Sequence, residues 1–348
     1  MTIAKTAVLG AGGYGTALSW PLARNCRQVA LWSRNPSLVD AIQRTRRNPR
    51  YSYLSRRELP RAVSATSDLR AAVDGADLVV VAVSASGLAD VYASLSAALT
   101  GARSLPVIVG VSKGLTGDGL LPDQVCRRAF PGRKVPYVHL AGPAFAQDIV
   151  GGAIVGLVAA SEQPQARSVA EAGLAGRELW VYPWHDVIGV EAAGALRTVL
   201  SFVFGALFTF GDDVSRSTKA FLLSRVVAEM ARFGLAMGGD ASTFGHDTPA
   251  GLAVVGDLYL CDDPGSRNWQ LGRLVAQGTP PVDALRQLQG VAESYNNART
   301  IRSLLEHLRT TDPGLELPWC EAVYAVCHAG VPVPDAVEAI LARADRRR

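Results

Sequence analysis

Short apolar runs alternate with helically spaced segments in the first half of the chain. Six runs predict strands, at residues 5–9, 29–32, 78–83, 107–111, 135–141 and 153–160. Residues 15–25, between the first two runs, have the spacing of a helix. Continuous apolar runs are typical of parallel strands, because these are buried on both faces of the sheet. The β-α-β order therefore predicts a doubly wound, Rossmann-like sheet over residues 1–187.

The pattern changes after about Asp186, where helical spacing replaces the strand-like runs. Helices are predicted at residues 190–210, 218–237, 281–289, 294–307, 317–329 and 334–344. The longest apolar stretch, residues 199–210, falls short of the roughly 20 residues that a membrane span needs. We therefore expect a buried helix there, no membrane span, and an all-α domain over residues 188–348.

A glycine-rich loop joins the first strand to the first helix. Its sequence, Gly10-Ala11-Gly12-Gly13-Tyr14-Gly15, fits the pattern G-x-G-x-x-G. In such a loop Gly10 permits the tight turn, Gly12 permits close approach of a pyrophosphate, and Gly15 permits close packing of helix on strand. The free N–H groups at the helix N-terminus favour phosphate. Residues 1–187 are thus predicted to form a dinucleotide-binding domain.

Arg34 stands near the end of the second predicted strand, where an NAD-selective site usually has Asp or Glu. A guanidinium pairs well with a 2′-phosphate, so we expect NADP to bind at least as readily as NAD. Two alternatives stay open: Arg34 stacks on the adenine, or it faces solvent.

Composition narrows the class of protein further. The 348 residues are 49% hydrophobic and 19% charged, which fits a globular protein of about two domains. The net charge of +4 suits anionic ligands, and the arginine clusters form no stripe that would indicate nucleic-acid binding. Neither the five cysteines nor the five histidines have the spacing of a metal site, and we expect a reduced, cytoplasmic location.

Seven short landmarks resemble, in order, those of the NAD(P)-dependent glycerol-3-phosphate dehydrogenases. They are G-A-G-G-Y-G-T-A-L at residues 10–18, L-W-S-R-N-P at 31–36, V-S-K-G at 111–114, A-G-P-A-F-A at 141–146, G-A-L-R-T-V at 194–199, G-D-L at 256–258 with S-R-N at 266–268, and V-A-E at 291–293. The family carries S-G-P-[ST]-F-A, G-A-L-K-N-V and V-x-E-G at three of these places. The resemblance implies a Rossmann domain followed by a helical substrate-binding domain, which pairs as a homodimer.

The resemblance also implies roles toward the cofactor. Gly13, Tyr14 and Arg34 would face the dinucleotide, and Ala146 would contact it. Val291 and Glu293 would close over its nicotinamide end.

Toward the substrate, Lys113 would reach both ligands, and Asp257 would belong to the catalytic group. Gly142 would contact the substrate through its backbone, beside Ala144. The residues implied for the substrate phosphate are Ser266, Arg267 and Asn268, with Arg267 also near the cofactor pyrophosphate.

Four departures from the family pattern converge on the catalytic centre. Arg197 replaces the catalytic lysine and Thr198 the asparagine after it, Cys261 replaces a threonine, and Ala144 replaces a small hydroxyl residue. An arginine stays protonated, with a pKa above about 12, and is a poor proton shuttle. Lys113 is then the candidate for proton transfer, while Arg197 polarises a carbonyl or binds an anionic group. In the alternative, Arg197 turns away from the site.

Three hypotheses follow for the function. The first is an NAD(P)H-dependent reductase of dihydroxyacetone phosphate that makes sn-glycerol 3-phosphate. The second is a related dehydrogenase acting on another phosphorylated or phosphonate carbonyl compound. The third is a dinucleotide-binding protein that no longer catalyses, since the cofactor loop is intact while the lysine is missing.

Overall fold

The computed structural model describes residues 3–207, 211, 214–245, 247–288 and 292–345. The chain forms two compact units. The first comprises Met1–Ser112 and Pro122–Val187, and the second comprises Lys113–Leu121 and Ile188–Arg348. A single cut after residue 187 differs from this division in one segment, because Lys113–Leu121 groups with the second unit.

The first unit is built on one eight-stranded sheet with the order β3-β2-β1-β4-β5-β6-β7-β8. All neighbouring strands are parallel except β6 and β7, which are antiparallel. The strands are β1 (Ile3–Leu9), β2 (Cys26–Trp32), β3 (Val63–Thr66), β4 (Leu78–Val81), β5 (Val107–Gly110), β6 (Tyr137–Ala141), β7 (Val155–Ala160) and β8 (Leu179–Trp184). This order confirms the doubly wound sheet expected from the sequence.

The central strands β4, β5 and β6 are buried at every position, as their continuous apolar sequences require. The two edge strands, β3 and β8, were missed by the sequence pattern. Each alternates buried with more exposed positions, and β3 has only four residues. Short half-exposed strands give a weak hydrophobic signal, and the aromatic side chains of β8 obscure it further.

Helices cover both faces of this sheet, as in other doubly wound folds. They are α1 (Gly13–Asn25), α2 (Pro36–Thr45), α3 (Ser52–Ser55), α4 (Leu69–Val73), α5 (Leu88–Ala98), α6 (Pro122–Ala129), α7 (Ala146–Gly151) and α8 (Pro164–Leu174). Helix α2 begins at a proline and is capped by Asn35, whose side chain accepts a hydrogen bond from the N–H of Leu38 at 3.2 Å.

The described residues of the second unit form helices joined by loops, with no strand among them. Its helices are α9 (Val187–Ala206), α10 (Arg216–Ala236), α11 (Asp257–Tyr259), α12 (Arg267–Ala276), α13 (Pro281–Gln287), α14 (Glu293–Leu308), α15 (Pro318–His328) and α16 (Val333–Asp345). A π-helical turn, Leu252–Gly256, leads directly into α11. The six predicted helices all appear, whereas α11 and α12 were not anticipated. Residues 208–210 and 289, at two predicted helix ends, lie outside the described residues.

Helix α9 is the central helix of this unit. By length and composition it could cross a membrane, but 94% of its apolar window is buried inside the protein, as expected for a core helix. It packs closely against α12, because Gly205 of α9 meets the backbone of Trp269 and Gly272 of α12 meets that of Phe202. A Cβ at either glycine would overlap backbone atoms of the other helix. This close approach fixes the start of α12 beside α9.

Candidate functional site

Gly10 and Gly15 of the glycine loop are required for steric reasons. Gly10 has a φ of +122°, and a Cβ there would collide with the carbonyl oxygen of Ala82 just after β4. A Cβ at Gly15 would collide with the carbonyl oxygen of Gly10 and lie 2.9 Å from the Cβ of Ala82. Loop, helix and neighbouring strand are therefore packed backbone to backbone.

Gly12 differs from these two because its Cβ position faces open space. It is the N-cap of α1, and no side chain caps the helix. The first N–H groups of a helix have no partner within it, so this end can bind an anion. A cleft of about 900 Å³ adjoins the loop. Its walls include Gly10, Gly12, Trp32, Ser33, Arg34, Arg50, Tyr51 and Ser84.

Two residues that support this loop were missed by the sequence analysis. The buried amide of Asn48 donates to the carbonyl oxygen of Ala11 at 3.1 Å and to the hydroxyl of Thr16 at 2.9 Å. The Tyr53 hydroxyl lies where a Cβ of Gly13 would be. Both follow α2 and belong to no motif, so only the fold shows that they reach the loop.

Arg34 is exposed on the wall of the cleft. In the part of the chain that the structure describes, it forms no ion pair. Ser33 beside it is buried, and its hydroxyl accepts a hydrogen bond from the N–H of Asn35 at 3.2 Å. The guanidinium is therefore available to an anionic group in the cleft, while the serine shapes the turn that presents it.

The loop after β6 lies at the same edge of the sheet as the glycine loop, since β1, β4, β5 and β6 run parallel. Gly142 has a φ of +142°, and a Cβ there would lie 2.8 Å from the carbonyl oxygen of Gly156. The N–H of Ala144 donates to the carbonyl oxygen of Gly142 at 3.0 Å, and the Ala144 side chain is buried. Ala146 then begins α7.

The second unit places two cationic side chains, those of Lys113 and Arg197, against the carboxylate of Asp257. The Nζ of Lys113 donates to Oδ1 and Oδ2 of Asp257 at 2.8 and 2.6 Å. The Nε of Arg197 lies 3.1 Å from the same Oδ1 and donates to the backbone carbonyl of Asp257 at 3.2 Å. The Asp257 side chain is 1% exposed and that of Lys113 is 23% exposed. Arg197 therefore faces the cluster and does not turn away from it.

The two cations beside Asp257 differ in how readily they release a proton. Burial lowers the pKa of Lys113; the charge of Asp257 opposes that effect and the charge of Arg197 adds to it. Burial also disfavours the charged form of Arg197, but the carboxylate of Asp257 is the largest of the effects that outweigh it, so the pKa of Arg197 is raised. Arg197 is a fixed cation, whereas Lys113 can release a proton.

Cys261 and Glu293 complete the surroundings of this cluster. Burial raises the pKa of the Cys261 thiol to about 11, so it is no nucleophile at neutral pH. Its Sγ lies 3.6 Å from the carbonyl oxygen of Arg197. Burial raises the pKa of Glu293, against the lowering effect of Arg197 and Lys113. Val291, expected beside it, lies outside the described residues.

The segment Ser266–Asn268 forms the start of α12. Ser266 is the N-cap but its side chain does not cap the helix; its hydroxyl lies 3.3 Å from that of Ser201 on α9. Ser201 also donates to the carbonyl oxygen of Cys261 at 3.2 Å. The N-terminus of α12 is thus joined to the cluster around Asp257. The Arg267 side chain is exposed, and among the described residues it has no ion pair.

Comparison with known proteins agrees with this arrangement. Residues 5–167 match the family model of the NAD-dependent glycerol-3-phosphate dehydrogenase N-terminus, and residues 186–338 match that of the C-terminus. A protein of Paucimonas lemoignei named glycerol-3-phosphate dehydrogenase [NAD(P)+] is 36% identical over 98% of both chains. One of Azotobacter vinelandii with the same name is 34% identical, over 96% of this chain and 93% of its own.

The chain belongs to the NAD-dependent glycerol-3-phosphate dehydrogenase family. The crystal structure of glycerol-3-phosphate dehydrogenase from Coxiella burnetii superposes with a TM-score of 0.85 at 26% identity, over 98% of this chain and 99% of that one. The resemblance drawn from the landmarks and the expected fold class are thereby confirmed.

The departures from the glycerol-3-phosphate dehydrogenase pattern can now be placed. Arg197 occupies the cluster that the family's lysine position implied. The hydroxyl of Thr198 donates to the carbonyl oxygen of Ala195 at 2.8 Å and accepts from the amide of Asn297 at 2.7 Å. The family's asparagine is missing at position 198, but the amide of Asn297 from α14 lies beside Thr198. The sequence gives no sign of this, because residues 198 and 297 belong to different helices.

Proposed function

We propose that the protein reduces dihydroxyacetone phosphate to sn-glycerol 3-phosphate, reversibly, with NADPH or NADH as the hydride donor. The observation that carries this proposal is the buried carboxylate of Asp257, which holds a titratable lysine and a fixed guanidinium side by side. Reduction of a carbonyl needs a proton donor and a charge that stabilises the developing alkoxide. Lys113 supplies the proton donor, and Arg197 supplies the stabilising charge.

The residues of the first unit fit a dinucleotide. Gly12 leaves space for a pyrophosphate at the free N-terminus of α1, and the cleft beside it is about 900 Å³. When bound, the nicotinamide supplies a hydride to the carbonyl carbon. The residues that we propose to hold the cofactor are Gly10, Gly12, Gly13, Tyr14, Gly15, Arg34, Lys113, Ala146, Arg267, Val291 and Glu293. Arg34 would pair with a 2′-phosphate where one is present.

Lys113 is the proposed proton donor in the reduction. Its Nζ gives a proton to the carbonyl oxygen as the carbonyl carbon becomes an alcohol. Asp257 holds the ammonium with two hydrogen bonds, which fixes its direction and keeps it charged until transfer. Arg197 stabilises the negative charge on the oxygen without giving up a proton. Burial and the neighbouring guanidinium, which lower the pKa of Lys113, make the ammonium a better acid.

The start of α12 is the proposed site of the substrate phosphate. The first N–H groups of this ten-residue helix point out of its N-terminus. Arg267 offers a guanidinium, and Ser266 and Asn268 offer short polar groups. From the family resemblance, Gly142 and Ala144 are also proposed to bind the substrate. In this view residues 1–187 are chiefly the dinucleotide-binding domain and residues 188–348 chiefly the substrate-binding domain, with Lys113 also contributing to the substrate site.

A second candidate function is favoured by Arg197 itself. Its Nε is anchored by Asp257, and a guanidinium anchored in this way presents its remaining N–H groups as a fork. Such a fork recognises an anionic group better than a lysine does. A phosphorylated or phosphonate carbonyl compound with a second acidic group would use it.

A cytoplasmic homodimer is proposed from family resemblance, and size-exclusion chromatography with light scattering tests the dimer.

A turnover assay tests the proposed function. Oxidation of NADPH is followed with dihydroxyacetone phosphate, with unphosphorylated dihydroxyacetone as control, and with a panel of phosphorylated and phosphonate ketones and keto acids. Turnover of dihydroxyacetone phosphate and little turnover of the control is the expected result. Turnover of only another phosphorylated or phosphonate compound would replace it by the second candidate. Cofactor binding without turnover of any of them would indicate a non-catalytic dinucleotide-binding protein.

A further inference from the structure

Helices α9, α12 and α14 are joined by polar contacts around the start of α12. Ser201 of α9 meets Ser266, and the side chain of Asn268 accepts a hydrogen bond from the N–H of Ser294 at 3.0 Å. One turn further along α14, Asn297 donates to Thr198 of α9. These contacts bring the first turn of α14 against the N-terminus of α12.

Ser294 occupies a particular place in this arrangement. It shares the buried face of α14 with Asn297, Ala298, Ile301 and Leu305. Its side chain is 0% exposed, and among the described residues its hydroxyl has no hydrogen-bond partner. A buried polar group without a partner costs about 1–3 kcal/mol, so such a group usually serves a ligand or a water. In the landmark V-x-E-G the family has a glycine here, and this chain has added a hydroxyl.

We propose that Ser294 is a substrate-binding residue whose hydroxyl donates to the phosphate held at the N-terminus of α12. The inference rests on the proposed function for the identity of the phosphorylated substrate. Two observations carry it: a helix N-terminus whose N-cap side chain is engaged with Ser201, and a buried unpartnered hydroxyl on a residue whose backbone N–H is held by Asn268 of that same helix. Because Asn268 uses its carbonyl oxygen for the N–H of Ser294, its amide N–H₂ stays available to the phosphate as well.

The groups around the N-terminus of α12 favour phosphate as the ligand. The helix end contributes a positive dipole and N–H donors, Ser294 and Asn268 contribute further donors, and Arg267 adds a positive charge nearby in sequence. The carboxylates of the segment before α12 are directed elsewhere. Asp262 pairs with Lys219 at 2.6 Å, and Asp263 accepts from the N–H of Gly265 at 3.0 Å. An uncharged ligand would leave most of these donors unmatched.

The variant Ser294→Ala tests this assignment, with Ser303→Ala as the matched control. Ser303 is exposed on the same helix and its hydroxyl bonds only a backbone carbonyl, that of Arg299. We expect Ser294→Ala to raise the KM for dihydroxyacetone phosphate and the inhibition constant of inorganic phosphate together, by about tenfold. Turnover at saturation and NADPH affinity should stay within twofold. Ser303→Ala should change none of these values.

Two further measurements separate a loss of phosphate binding from a loss of stability and from a wrong choice of substrate. Ser294→Cys, which preserves shape but donates weakly, should follow Ser294→Ala, and the thermal midpoint of neither should fall. Calorimetric titration with inorganic phosphate reads the site without turnover, so the inference is tested even if dihydroxyacetone phosphate is not the substrate. Unchanged phosphate affinity in both variants overturns the inference and leaves the proposed function standing. A hydroxyl that holds only a buried water would give that result.

Discussion

The two units of this glycerol-3-phosphate dehydrogenase homologue differ in how closely they keep to a general pattern. The cofactor loop keeps Gly10 and Gly15, where a Cβ would collide with backbone, and Gly12, whose Cβ position faces open space. The cluster around Asp257 keeps its carboxylate and one lysine but exchanges the other lysine for Arg197. Where glycines pack against backbone, no side chain can replace them. A cluster of charged side chains can instead exchange a lysine for an arginine, which keeps the net charge but removes a group that can release a proton.

The largest effect is expected at Lys113, because it is the only titratable cation in the described cluster. Lys113→Ala should lower turnover by roughly 10²–10⁴-fold, as loss of a positioned general acid does, while NADPH affinity falls far less because other residues of the cofactor site remain. Steady-state assays and fluorescence titration of NADPH measure the two. Lys219→Ala, which breaks the pair with Asp262 in the same unit, is the control. Equal losses in both variants would place proton donation elsewhere.

The next effect concerns the phosphate site. Arg267→Ala should cost about 2–3 kcal/mol of substrate binding, the value of a charge-assisted contact, or roughly a 30- to 150-fold rise in KM. Arg286→Ala serves as control, since Arg286 pairs with Asp283 on the surface of α13 and such pairs contribute little. Dihydroxyacetone without phosphate should be a poor substrate for both variants and for the parent. A KM that does not respond to Arg267→Ala would remove that arginine from the site.

A smaller effect is expected in the cofactor cleft. Arg34→Asp should shift the ratio of NADPH to NADH affinity toward NADH by about tenfold or more, because a carboxylate repels the 2′-phosphate and accepts from the 2′-hydroxyl. Equilibrium titration with both cofactors measures this ratio. Arg50→Asp, on the wall of the same cleft, controls for the general change in charge. If the two variants shift the ratio equally, Arg34 has no special relation to the 2′-phosphate.

The sequence predicted the cofactor loop well because its strand, glycines and helix are contiguous and each carries a local signal. It predicted the cluster around Asp257 only through family landmarks, since Lys113 lies 144 residues from Asp257. Asn48, Asn297 and Ser294 escaped prediction because a lone polar residue on a helix or loop signals nothing by itself. Their importance comes from tertiary contacts between elements that the hydrophobic pattern places but does not orient.

The last prediction uses the pH dependence of the reduction rate to distinguish the roles of Lys113 and Arg197. Reduction needs Lys113 protonated, so its rate should fall as pH rises through the pKa of that lysine. Burial, and then the charge of Arg197, hold this pKa below its ordinary value. Arg197→Gln removes a positive charge, so the pKa should rise and the basic limb of the rate profile should move to higher pH. The rate below the limb should fall, because the alkoxide loses a stabilising charge.

Arg197→Lys, alone and with Thr198→Asn, completes this test. If the protein reduces dihydroxyacetone phosphate, a second lysine on Asp257 can both stabilise charge and release a proton. Turnover of dihydroxyacetone phosphate should then rise several-fold, and the basic limb should have the shape expected for two coupled lysines. If Arg197 instead binds an acidic group of another substrate, the same change should weaken turnover of that substrate without improving the reduction of dihydroxyacetone phosphate, since lysine does not replace a bidentate guanidinium. Identical pH profiles in the parent and in both Arg197 variants would contradict each version. They would mean that the contact between Arg197 and Asp257 holds α9 in place and has no part in the reaction.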